Sequence, residues 1–170
     1  MNQNNVKIIR SAKRKKTIQA KMVKDKLYVY IPNSLTESEE QEWIKRMKKR
    51  FEKKKQLRKL NSNDLLYNRA QHLNKKYFDG HLDFDIRYVS NQRKRVGSCS
   101  PDRKTIRISD RISNMPRWVQ DYVIIHELAH LIYPNHSKEF WEKVHQYKYV
   151  ERAKGYLIAI GMHSQKDEEL

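Results

Sequence analysis

The 170-residue chain has one cysteine, Cys99, so no internal disulfide can form. That suits a reducing compartment. No apolar run approaches the roughly 20 residues that cross a bilayer as a helix. The N-terminal stretch MNQNNVKIIRSAKRKK lacks the apolar core of a secretory signal. These absences lead to the expectation of a soluble, intracellular protein of the cytoplasm with no membrane partner. Internal repeats are also missing. Acidic residues are scarce in one region above all: residues 1–60 hold 19 Lys and Arg against 6 Asp and Glu, a net of +13. Residues 61–170 hold 18 against 14, a net of +4.

Ten tyrosines, three tryptophans and four phenylalanines are present. A disordered chain rarely carries so many aromatics, and this length suits one domain, or one domain with an appendage. The basic excess would attract a polyanion such as nucleic acid. The plainer alternative is a set of solvated lysine faces, because the charge runs lack the aromatic interleaving that single-strand binders use.

Alternation of Ile18, Ala20 and Met22, then of Leu27, Val29 and Ile31, predicts a β-hairpin turning at KDK and ending at Pro32. Thr36 with Glu39 forms a capping box, so a helix begins there and runs to about Lys59, with Met47 and Phe51 on a narrow apolar stripe. A second helix is expected over about 64–78, with Leu66, Ala70, Leu73 and Tyr77 at helical spacing. A strand follows at Leu82 to Val89, then a hairpin at about 94–109 around PDRK. Pro116 suits the first turn of a helix that continues to Tyr133, where Pro134 stops it. Two further helices are expected, about 138–149 with Ser137 as cap, and near 151–161. The order from residue 64 onward predicts an α+β domain with a small sheet covered by helices.

The stretch VIIHELAHLIYPNHSKEFW holds the chemistry. His126 and His130, four apart, project from one helical face. Zinc takes imidazole nitrogens at about 2 Å, and this spacing supplies two of them. Glu127 is rotated by about 100° from His126, beside such a metal, where it can take a proton from a metal-bound water. A catalytic zinc wants a third protein ligand. His136 can return if Tyr133-Pro134-Asn135 turns the chain; Glu139 and Glu142 are the alternatives. The pattern H-E-x-x-H would arise by chance in about 0.02 of chains of this composition. Two buried, hydrogen-bonded histidines on an ordinary helix are the plainer reading. His72, His81, His145 and His163 have no ligand spacing, and Cys99 reads as a small strand residue, since no Cys–His arrangement accompanies it. The edge of the 94–109 hairpin is a candidate cradle for an extended peptide. Tyr147, Tyr149 and Arg117 are candidates for stabilising an oxyanion.

Two stretches, VGSCSPDRKTIRIS and WVQDYVIIHELAHLIYPNHSKEFWEKV, resemble the YgjP-like metallopeptidases, kin of the SprT-like and WLM-type zincins. Asp121, Tyr122, Val123, His126, Glu127, Leu128, His130, Leu131, His136, Ser137, Phe140 and Trp141 match that family's pattern; Val96 stands where it usually carries tryptophan. The resemblance implies a zincin-like minimal metallopeptidase domain, with a small antiparallel-rich sheet packed by helices. It implies zinc bound by His126, His130 and His136, with Glu127 as general base, and a protein or peptide substrate. The expected organisation is a basic hairpin-and-helix module over 1–60, the metallopeptidase domain over 61–163, and a flexible tail over 164–170. A second function, association with nucleic acid through the basic module, stands beside peptide hydrolysis.

Overall fold

The computed structural model describes residues 6–24, 26–92 and 95–162. The expectations for His163 and for a tail over 164–170 lie outside the described residues. The chain divides into two compact units, Met1–Gln56 and Leu57–Leu170.

The first unit holds three strands: β1 (Val6–Ser11), β2 (Gln19–Val23) and β3 (Lys26–Pro32). The expected hairpin is β2 with β3, paired antiparallel. The sheet order is β1-β3-β2, and β1 joins β3 in parallel. That third strand is not among the expected elements, because VKIIRS has little beyond the apolar pair Ile8 and Ile9 and its partner lies 21 residues on. Leu27, Val29 and Ile31 are fully buried, with Met47 and Phe51 of the following helix packed against them. Burying such a side chain contributes about 1.5–3 kcal/mol. That helix, α1 (Glu37–Leu60), starts on the capping box. Glu39 Oε2 accepts from Thr36 N at 2.9 Å, and Glu39 N donates to Thr36 Oγ1 at 3.3 Å. The Thr36 N–H, and the Thr36 hydroxyl that also donates to Glu39 Oε2 at 2.8 Å, hold the Glu39 carboxyl below its usual range. Arg10 crosses from β1 to the buried Glu40 through two bonds, of 3.1 and 2.6 Å.

The second unit is α+β, with α2 (Leu65–Tyr77), β4 (Asp85–Val89), β5 (Gly97–Ser100), β6 (Thr105–Ser109), α3 (Arg117–Ala129), α4 (Lys138–Val144) and α5 (Val150–Ala159). Short 3-10 turns at Pro101–Arg103 and Asp110–Asn114 follow β5 and β6. The sheet order is β4-β6-β5, so β6 returns between its neighbours. β4 and β6 are parallel while β5 and β6 are antiparallel. The sheet is thus evenly mixed where the resemblance implied antiparallel-rich, because alternation marks strands without fixing their order. Two asparagines pair with backbone groups in β4 and ahead of it. Asn61 bonds both the N–H and the carbonyl of Tyr88, and Asn74 does the same for Leu82.

α3 runs through the middle of this unit. Asp121 to Ala129 are buried without a break, and the helix packs against α2, α4, α5, β5 and β6. It ends at Ala129, four residues short of the expected Tyr133. Leu131 N bonds Leu128 O and Ile132 N bonds Ala129 O, so the last turn tightens to i→i−3 spacing before Pro134. A residue before proline is also pushed out of helical geometry. α4 likewise stops at Val144 and not near residue 149.

Candidate metal centre

His126 and His130 emerge from the end of α3, and the tightened turn brings His136 back to them. One nitrogen from each of the three rings lies within 4.8 Å of the others. Nε2 of His136 is 3.1 Å from Nε2 of His126. Two nitrogens bound tetrahedrally at about 2.0–2.1 Å stand about 3.3–3.4 Å apart, so this pair has close to the separation that zinc requires. The donor set fits the ion. Of the other acids considered, Glu139 accepts from Ser137 Oγ at 2.6 Å and Glu142 faces Lys138 at 3.8 Å, both exposed.

His130 Nδ1 lies 3.0 Å from the carbonyl oxygen of Tyr133. A carbonyl only accepts, so Nδ1 carries the hydrogen and Nε2 keeps its lone pair for a metal. The turn that ends α3 therefore also sets this tautomer. His126 is held differently. Its Nδ1 is buried with no hydrogen-bond partner among the described residues. Rings fix its orientation: Tyr122 at 5.9 Å, Phe140 at 4.9 Å and Trp141 at 6.0 Å between centroids. Phe140 also stacks on His130 at 4.6 Å, and Trp141 stacks on His136 at 5.5 Å. Burial, then the neighbouring His130 and His136 and finally Lys154, push the His126 imidazole well below its ordinary range. A neutral imidazole is the form that ligates metal.

Glu127 is buried, and it lies against β5 where that strand has no side chain. A Cβ on Gly97 would stand 2.3 Å from Glu127 Oε1 and 2.7 Å from its Cδ. Sequence reasoning missed Gly97. Nothing local marks it, because the contact joins residues thirty apart. Cys99, two residues on, is half-buried, and burial together with the Glu127 charge pushes its thiol up to about 12. It stays protonated near neutrality, which makes it a poor nucleophile.

The three candidates for oxyanion stabilisation lie elsewhere. Arg117, Tyr147 and Tyr149 line a cavity of about 570 Å³ that neither Glu127 nor any of the three histidines lines. Tyr147 already donates to the Trp118 carbonyl at 3.0 Å. In the same wall Arg69 grips the buried Asp121 through two bonds, of 2.6 and 2.5 Å, tying α2 to α3. His72 and His81 are exposed, and His145 pairs with Glu151 at 3.1 Å.

A family model described as YgjP-like, metallopeptidase domain, matches residues 14–154. No curated protein matches the chain. Among solved structures, the chain is similar to the metallopeptidase zymogen of Pyrococcus abyssi abylysin, with a TM-score of 0.51 and 20% identity over 56% of this chain and 94% of that one. It is also similar to the metallopeptidase zymogen of Methanocaldococcus jannaschii jannalysin, with a TM-score of 0.49 and 19% identity over 56% and 95%. At these identities the first likeness speaks for the fold alone. No helix among the described residues is long and apolar enough to cross a membrane.

Proposed function

The chain belongs to the YgjP-like metallopeptidase family, and from that premise we propose a single-zinc peptidase in which His126, His130 and His136 hold the metal and Glu127 is the general base. The family makes the chain a hydrolase of protein or peptide substrates and implies a metal ion. The observation that carries the finer reading is the convergence of three ring nitrogens within 4.8 Å. Their donor chemistry matches zinc, which in a three-histidine site supplies a Lewis acid and makes water acidic enough to react near neutrality.

The chain's own residues do the rest. Glu127 takes a proton from the attacking water and delivers it to the leaving amine. Gly97 leaves room for the carboxylate to lie against β5. Burial keeps bulk water from competing for it. The tautomer set by the Tyr133 carbonyl keeps His130 Nε2 ready as a ligand. β5 is an edge strand of its sheet and packs against α3. An extended substrate adding alongside it would run past Glu127, with main-chain bonds holding it in register.

Metal content tests the ligand assignment. His130→Ala should purify with zinc reduced to background, whereas His145→Ala should keep a full equivalent. Equal zinc in the two variants would remove His130 from the site.

A further inference from the structure

Along the sequence, the aromatic residue set between lysine runs, Phe51, packs into the apolar cluster of the first unit. The sheet of that unit supplies rings on its other face. Leu27, Val29 and Ile31 of β3 face the buried side. Alternation puts Tyr28 and Tyr30 on the opposite face, both half-buried and neither part of the apolar cluster beneath. Register fixes their neighbours. Tyr28 lies between Lys7 of β1 and Lys21 of β2, and Tyr30 lies between Ile9 and Gln19. The Arg14 guanidinium sits 5.6 Å from the Tyr30 ring centroid and donates to Gln19 Oε1 at 2.9 Å. Lys7, Lys21 and Gln19 are exposed. None of these face residues is acidic, and residues 1–36 hold nine Lys and Arg against one acid, Asp25.

We infer that this face binds single-stranded nucleic acid, with bases stacking on Tyr28 and Tyr30 and phosphates following Lys7, Lys21 and Arg14. Residues two apart on one strand project to the same face with their Cα atoms about 6.6–6.8 Å apart. Sheet-based readers stack successive bases on such platforms. The flanking cations supply the charge complementarity that a sugar–phosphate chain needs. A duplex would meet the cations but hide its base faces. An acidic peptide would meet them without a planar group for either ring. None of these residues belongs to the metal centre, so the inference stands or falls apart from the peptidase reading.

The test is fluorescence anisotropy on the full-length, metal-replete protein. The probes are labelled oligo-dT and oligo-U of about 12 nucleotides, within the span one small module covers, and a duplex of the same length. Each is titrated over a range of salt, with phosphatidylserine vesicles as competitor. Single strands should bind at least about tenfold tighter than the duplex. Tyr28→Leu with Tyr30→Leu keeps apolar bulk but removes the flat rings; it should weaken single-strand binding about tenfold or more, while Tyr28→Phe with Tyr30→Phe retains it. Lys7→Gln with Lys21→Gln should lower the slope of log affinity against log salt by about 1.4, from about 0.7 per phosphate contact. A preference for oligo-U or for oligo-dT supports the inference and identifies the sugar. Absence of binding, equal binding of strand and duplex unaffected by the leucine variant, or displacement of the strand by vesicles alone would each overturn it.

Discussion

Leu57–Leu170 turns the rings beside its three clustered histidines inward. Phe140 is fully buried, Trp141 is nearly so, and the two hold three histidines in place by contact. Met1–Gln56 places Tyr28 and Tyr30, both half-buried, on the sheet face opposite its apolar cluster, with Tyr28 between two lysines. Charge is uneven across the same division, with a net of +11 over residues 1–56 against +6 over 57–170. One region concentrates chemistry by removing water, so its central imidazole is held neutral. The other keeps its charges solvated, where salt screens them within about a Debye length. A metal centre and a polyanion surface make opposite demands on solvent, and the two sites proposed here lie in separate segments.

The comparison can be broken most severely by removing the metal. Chelation should abolish peptide hydrolysis and leave the anisotropy titration of oligo-dT unchanged, whereas high salt should do the reverse to binding. A chelator that also released the oligonucleotide would show that the two properties are not separate.

Gly97→Ala comes next. The added Cβ would collide with the Glu127 carboxylate, which must move. A misplaced base costs about 10²-fold in kcat. Zinc content and KM should stay close to wild type, as assayed by metal analysis and steady-state kinetics. Loss of zinc together with activity would instead assign Gly97 a structural role.

Core truncations sharpen the contrast further. Phe140→Ala should cost about 3–5 kcal/mol and weaken zinc retention, because it removes the ring that touches all three histidines. Ile31→Ala in the first unit should cost about 2–4 kcal/mol and leave zinc untouched. Urea melts with metal analysis on both variants check this pair.

The smallest effect is the acid limb of stability in the metal-free protein. His126 is depressed by burial, so below its unfolded value of about 6.5 the unfolded chain binds more protons than the folded one. Its contribution is full above that pH and is lost as pH falls toward the folded value, by at most about 1.4 kcal/mol per pH unit. Urea midpoints in EDTA should therefore decline below about pH 6.5, and His126→Phe should flatten that decline.

What could be read from the sequence was local. The Thr36–Glu39 cap and the common face of His126 and His130 depend on residues three and four apart. Helical geometry fixes such neighbours wherever the helix forms. The parallel pairing of β1 with β3, the position of β6 between β4 and β5, and the contact of Gly97 with Glu127 all join distant residues. Alternation cannot reveal them. The lysine–tyrosine face is of this kind, since register assembles it from three strands. The early end of α3 was missed for another reason. Pro134 set an outer limit, but the i→i−3 bonds over 128–132 closed the helix sooner.

The most direct measurement is zinc stoichiometry and peptide hydrolysis on the same preparation of Glu127→Gln. The amide keeps the shape beside Gly97 but accepts no proton. One equivalent of zinc with hydrolysis reduced at least about 10²-fold is the predicted result. Full hydrolysis with zinc bound would contradict Glu127 as the general base, and loss of zinc would mean that Glu127 helps to hold the metal.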